Sequence, residues 1–356
     1  MESIERVKRI IQHKPVDRIG VYEHFWPDTH KEWVHQGHLK EDEVFARHFG
    51  YDIDVAWSFN MIADLDFEPE VVGETEDTIT MLDGNGAVLK KHKKHDTTPE
   101  HVDFTVKERE QWEKLKPKLS ADSRRINFDW YRAVKDMCRE DNRFFCWSGI
   151  NVFESMHPVC GHEHMLVGMA LDPDWIHDMA ETYSKITIEL METLFAKEGK
   201  PDGIWFYEDL GYKGTPFISP DMYKEILFPY HKRTMDYAHS LGLPVIFHCC
   251  GFIEPLIPGL IEAGIDCLQT IEVKAGMDPI RINKNYGDKI SLMGGIDVRA
   301  LYSNDKSIID KELESKIPIL KQGFNFMLHS DHSIPKTVNY ESYKYFVERG
   351  LELGKT

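Results

Sequence analysis

The stretch Pro244-Val245-Ile246-Phe247-His248-Cys249-Cys250-Gly251 joins an apolar run to three side chains able to bind metal. Such a run reads as a buried parallel strand that stops where a catalytic loop begins. On an extended backbone, residues two apart point to one side and immediate neighbours to opposite sides. His248 and Cys250 can therefore converge on one ion, while Cys249 faces away. A pair alone does not make a metal site, so the other ligands must come from other strands.

Seven further segments have strand character: 18–23, 52–57, 144–148, 203–208, 267–272, 290–294 and 324–329. With 244–248 they make eight, separated by helical patterns, which predicts an α/β fold of the closed (β/α)8 TIM-barrel type. No Gly-x-Gly-x-x-Gly fingerprint supports an open dinucleotide-binding sheet. Asp172 before Pro173, and Ser219 before Pro220, are helix-start signals. The charged N-terminal stretch from Met1 to Arg9 is helical in pattern and unlike a signal peptide. Residues 66–107 break the alternation and read as a β-hairpin excursion turning at Asp83-Gly-Asn-Gly86, inserted in a single barrel domain over 1–356.

A hydrophobic fraction of 42% suffices for a large core, and a formal charge of −17 repels phosphate backbones, so nucleic acid is not an expected partner. The basic run Lys90–Lys94 is expected on a solvated strand edge. No apolar stretch approaches ~20 residues, so no membrane span is expected. The six cysteines have no framework spacing and read as free thiols or ligands of a cytoplasmic protein. Pairing as a homodimer stays open.

Barrel function concentrates where strands end. Zinc takes about four N, S or O ligands. His248, Cys250, Glu272 and His332 supply that set at one mouth, with Glu272 alternatively an outer carboxylate orienting an imidazole. His329 is expected in the core or behind the ligands. Glu208 and Asp209 are candidates for acid–base or substrate-clamping work, or for paired structural hydrogen bonds. His24, Trp26, Trp57, Trp147, Tyr207 and Asp331 are the candidate substrate-binding residues, and their aromatic content suits an apolar or aromatic ligand. Cys160-Gly-His-Glu-His164 is metal-like in isolation but is assigned to surface or capping use, and Asp278 and Asp297 to capping.

From Arg18 onward the chain resembles the uroporphyrinogen decarboxylase-like superfamily, which includes corrinoid-linked methyltransferases. The resemblance is carried by Glu208-Asp-Leu-Gly, Ile218-Ser-Pro, His248-Cys-Cys-Gly-Phe-Ile-Glu-Pro, Glu262-Ala-Gly-Ile-Asp, Ile271-Glu-Val-Lys-Ala-Gly, Leu292-Met-Gly-Gly-Ile-Asp and Ser330-Asp-His-Ser-Ile-Pro. In the zinc methyltransferases of that group a His-x-Cys pair, often a downstream Glu, and a late Cys hold the metal. His248, Cys250 and Glu272 match in type and order, and His332 stands in the place of the late Cys. Exchanging a thiolate for neutral imidazole leaves a more electrophilic zinc and favours an oxygen-bearing substrate over a thiol. The resemblance thus implies Zn2+ and methyl transfer from a small donor, such as a methoxylated aromatic, to a corrinoid supplied by a partner protein. The Arg-rich stretch with which porphyrinogen decarboxylases grip carboxylates is replaced by Val21-Tyr-Glu-His-Phe-Trp-Pro. A lyase and a non-catalytic binding barrel are the alternatives.

Overall fold

The computed structural model describes residues 1–94 and 98–356. Strands run in chain order as Gly20–Val21 (β1), Ile53–Trp57 (β2), Glu70–Glu74 (β3), Thr78–Leu82 (β4), Ala87–His92 (β5), Glu100–Phe104 (β6), Phe144–Ile150 (β7), Gly203–Tyr207 (β8), Val245–Cys249 (β9), Cys267–Thr270 (β10), Ser291–Gly294 (β11) and Phe326–Leu328 (β12). Eight of them pair in parallel in the order β1-β12-β11-β10-β9-β8-β7-β2. With β3–β6 set aside, every neighbour in space is a neighbour in the chain, the signature of a (β/α)8 barrel. Both faces of these strands are covered, one by the lumen and one by helices, which is why β7, β9 and β10 are buried almost throughout.

The two ends of the series, β1 and β2, are joined by one residue rather than a ladder. Asp52 donates its backbone N–H to Val21 O at 2.9 Å, and its Oδ2 accepts the Val21 N–H at 2.9 Å. The same carboxylate accepts from Arg6 Nη1, Arg18 Nη1 and Ser3 Oγ, each at 2.7 Å. Arg6 belongs to the N-terminal helix Ser3–Ile11, so that helix is tied to the closure of the ring.

The inserted segment is larger than the single hairpin expected. β3 to β6 form a four-stranded antiparallel sheet, because the stretch 71–82 is cut by a turn in which Thr75 Oγ1 accepts the Thr78 N–H at 3.0 Å. Three residues of the insertion, 95–97, lie outside the described residues. The basic run is not on an edge: β5 pairs with both β4 and β6. Three of its lysines are matched by acids instead, Lys90 with Glu100 at 3.6 Å, Lys93 with Glu74 at 2.8 Å and Lys94 with Asp77 at 3.2 Å. Capping follows expectation at Ser219, Asp278 and Asp297, which accept N–H groups of the turns they open. Asp172 does not cap helix Pro173–Glu198; its carboxylate accepts from Arg109 Nε at 2.9 Å. Among the described residues no helix is long and apolar enough to cross a membrane.

Asp52 is wholly buried and Arg6 only 5% exposed. Deleting one partner of such a pair leaves a buried charge uncompensated, at a cost of about 3–5 kcal/mol. Asp52→Ala is expected to destabilise the fold by that much in denaturant unfolding, and an unchanged midpoint would show that the seam is closed by something else.

Candidate metal centre

Strand register assembles the centre. On the adjacent strands β8, β9 and β10, Tyr207 is opposite His248 and His248 opposite Gln269. These three side chains form one row near the C-terminal ends of the strands, with the Tyr207 and His248 rings 4.6 Å apart. His248 and Cys250, two residues apart, do face alike: Cys250 Sγ is 3.4 Å from His248 Nε2. Cys249 is buried on the other side, its sulfur accepting the Leu210 N–H.

The third member of the group is Asp209. One ligand atom each from Asp209, His248 and Cys250 lies within 4.8 Å of the others. Asp209 Oδ1 is 3.5 Å from His248 Nε2 and accepts the Cys250 N–H at 2.9 Å. It reaches that position because the loops after β8 and β9 touch backbone to backbone. A Cβ on Gly251, whose φ is +78°, would overlap the Gly211 carbonyl carbon, and one on Gly211 would overlap Cys250 O. Only glycines fit there.

A hydrogen-bond chain sets which nitrogen of His248 is free. The Ser330 carbonyl can only accept, so His329 Nδ1 donates to it and His329 Nε2 carries the lone pair. Burial pushes the His329 pKa down to about 3, so its ring is neutral. The Gln269 amide N–H donates to that nitrogen at 3.2 Å, which turns the Gln269 carbonyl oxygen toward His248 Nδ1–H. His248 Nε2 is left with a lone pair directed at the site of Cys250 and Asp209, as a metal ligand requires. His24 extends the chain: its Nδ1 is 3.1 Å from His329 Nε2, and its Nε2 meets the Tyr207 hydroxyl at 2.7 Å. Burial, reinforced by the neighbouring His329 and His248 rings, holds His24 well below the usual imidazole range.

The remaining candidates are placed as follows. Glu272 Oε2 accepts the Gly251 N–H at 2.6 Å and its Oε1 lies 3.3 Å from Lys274, so it braces the loop that bears Cys250. His332 stacks obliquely against Trp26, and its Nδ1 is buried without a hydrogen-bond partner among the described residues. Neither belongs to the group of three. Trp57 is 46% exposed and lies 5.2 Å from the Tyr207 ring, at the mouth. Trp26 and His24 line a cavity of about 490 Å³ beside β1. Trp147 is fully buried in β7 and packs on Phe59 and Phe206. Asp331 is also fully buried: its two oxygens accept the Val273 and Val298 N–H groups at 2.8 Å, fastening two loops, and burial raises its pKa to about 6. Glu208 is likewise occupied. It accepts from Phe153 N at 2.9 Å and Glu154 N at 2.7 Å and pairs with His231 Nε2 at 2.7 Å, with no surface exposed. A carboxylate on the N-terminus of helix Val152–Leu171 is favourably placed by the unpaired N–H groups there. Glu208 and Asp331 therefore position the site rather than line it.

Gln269 and Glu23 were not singled out by the sequence. Glu23 lies under the chain, with Oε2 accepting the Ser330 N–H and Oε1 accepting the His24 N–H and lying 3.3 Å from His329 Nε2. Burial pushes its pKa up to about 8. The available signal was a Gln and a Glu at alternate positions of otherwise apolar strands.

Zinc fits this donor set. The nitrogen and sulfur are aimed together and a carboxylate oxygen is beside them, while His332, outside that group, carries a buried nitrogen without a partner among the described residues. Burial, with the Asp209 and Glu272 carboxylates adding to it, pushes the Cys250 thiol well above its usual range, so a thiolate here calls for a cation.

A parallel barrel with a His-x-Cys centre at its C-terminal mouth is the class defined by fold and site. Residues 77–352 match the uroporphyrinogen decarboxylase (URO-D) family, and the chain belongs to that family. A methylated-thiol–coenzyme M methyltransferase of Methanosarcina mazei is 31% identical over 90 residues, which make up 25% of this chain and 23% of that protein. The chain thus aligns with less than a quarter of that relative's length. A solved methyltransferase from Methanosarcina mazei superposes over 99% of both chains with a TM-score of 0.65 at 13% identity, and so shares the fold.

Gln269→Leu keeps the volume but removes the acceptor for His248 Nδ1–H. It is expected to weaken zinc binding about 10–100-fold in a competitive chelator titration, whereas unchanged affinity would separate Gln269 from the centre. Glu23 gives a pH signature. Its folded pKa of about 8 lies above the ordinary value of 4.5, so between these the native chain keeps a proton the unfolded chain has released. Stability therefore falls as pH rises through that window, with the loss complete above about 8. Urea unfolding of Glu23→Gln should lack this decline, and identical slopes in parent and variant would contradict the assignment.

Proposed function

We propose that the chain is a zinc methyltransferase that moves a methyl group from a small methoxylated aromatic donor to the corrinoid of a partner protein. The observation that carries the reading is the convergence of His248 Nε2, Cys250 Sγ and an Asp209 oxygen at the barrel mouth, with the His248 tautomer fixed from behind. His248, Cys250 and Asp209 would hold the metal, with His332 as the fourth ligand and Glu272 bracing the Cys250 loop. Compared with the sequence expectation, Asp209 moves from acid–base work to ligation, and Glu272 from ligation to support. Bound there, zinc supplies Lewis-acid polarisation of the donor's heteroatom.

The protein's own groups orient the donor. Trp57, set edge-on to the Tyr207 ring that packs against His248, offers an aromatic surface at the mouth suited to an aryl ring. The Tyr207 hydroxyl, held by His24 Nε2, is fixed in direction and stays protonated, because burial raises its pKa far above the ordinary phenol value. When the methyl–oxygen bond breaks, the electron pair remains on oxygen and the carbon passes to the reduced cobalt of the acceptor. The similarity to the methylated-thiol–coenzyme M methyltransferase of Methanosarcina mazei favours a second reading, with a methylated thiol as donor.

Purified protein is expected to contain zinc, and Cys250→Ser to lose it. Incubation with a reduced corrinoid protein and a panel of methyl ethers and thioethers should change the cobalt absorption spectrum with the parent and not with Cys250→Ser. Transfer from thioethers alone selects the second reading. Zinc-free active protein would refute the metal role.

A further inference from the structure

The helix Val152–Leu171 carries a second group of metal-capable side chains. It is broken at Gly161, where φ is +72° and ψ 161°. A Cβ at that residue would overlap the Phe104 ring, so glycine lets the inserted sheet press against the helix. The break redirects His162. Cys160 turns inward, its thiol toward Met156 O, while the His162 ring lies against His157 with centroids 3.8 Å apart. Cys160-Gly-His-Glu-His164 thus does not act as a unit; His162 instead joins residues one and two turns earlier.

We propose that Glu154, His157 and His162 form a second divalent-metal site, suited to an ion of the zinc class. One ligand atom from each lies within 4.8 Å of the others, and His157 Nδ1 is 3.9 Å from a Glu154 oxygen. A separate observation points to a missing ligand: His162 Nε2 is buried and has no hydrogen-bond partner among the described residues. Glu154 and His157 keep 20% and 15% of their side chains exposed, so an ion has an entry path. Two imidazoles and one carboxylate are a sufficient protein contribution to an open site. The rings are supplied in the form a metal needs, since burial lowers His157 to about 3 and His162 below the usual range.

The group is built into the fold around the first centre. Glu208 fixes the Phe153 and Glu154 N–H groups that open the helix. Glu154 lies near Asp209, whose own carboxylate faces His248 and Cys250. His101 of β6 stands edge-on to His157 at 4.9 Å. An ion here would tie the first turns of the helix to the segment beyond its break at Gly161.

The test is cobalt titration of metal-free protein, read by absorption spectrum and by bound equivalents after gel filtration. Two equivalents are expected, of which one gives thiolate-to-cobalt charge transfer. The double variant His157→Asn, His162→Asn should lose the equivalent without charge transfer, with affinity reduced at least ~100-fold, and retain the other. Cys250→Ser should do the reverse. Glu154→Gln, which preserves shape, guards against misfolding and should weaken the same equivalent. A single equivalent that is abolished by Cys250→Ser and untouched by the histidine pair overturns the proposal, as does no binding at all. A single equivalent without charge transfer, lost with the histidine pair, upholds it and overturns the first centre instead.

Discussion

Everything at the barrel mouth depends on closing the ring at Asp52. β1 is only two residues long and β2 shares no ladder with it, so one buried carboxylate gathers the strand, two arginines and the N-terminal helix. A buried ion pair of this kind contributes little net stability over an apolar substitute. What it supplies is geometry. With the seam closed, Glu23 and His24 at the end of β1 lie across the lumen from β8, while the β1–β12 ladder and the Ser330–Glu23 bonds hold them against β12.

That placement matters because the lumen is wired from β1 to β9. Ser330 O, His329, Gln269 and His248 form a chain in which each donor decides the state of the next acceptor. A single carbonyl, unable to donate, thereby fixes a lone pair on His248 some residues away. The low polarity that drives the neutral state of His329 and Glu23 also makes each unsatisfied link costly, so the row behaves as a unit. The Tyr207 hydroxyl and His24 close the other side of the same network.

The barrel was legible because its evidence is local: eight apolar segments, each ending in polar or titratable residues, with helices between. His248 and Cys250 were legible for the same reason, since period two is a property of one strand. What failed was information held between strands. Asp209 becomes a neighbour of Cys250 through a contact of two glycines that the sequence does not pair. Glu208 and Asp331 look like mouth residues by position, yet each spends both oxygens on N–H groups of distant segments. Gln269 was overlooked because a single amide in an apolar strand carries no motif. The insertion was underestimated because Thr75 and Thr78 make a turn from hydroxyl bonding rather than from Gly or Pro.

The adjacent acids Glu208 and Asp209 show how one dipeptide at a strand end serves two elements. Alternation sends Glu208 back toward the helix that follows β7 and leaves Asp209 facing the ligands after β9. The first anchors the turn that bears Glu154, and the second lies near that same Glu154 and turns its carboxylate to His248 and Cys250. Displacing the end of β8 would therefore disturb both groups of metal-capable side chains together. The coupling runs through the Glu208 carboxylate, which holds the Phe153 and Glu154 N–H groups, so the relative placement of the two groups rests on that one buried side chain as well as on the backbone it grips.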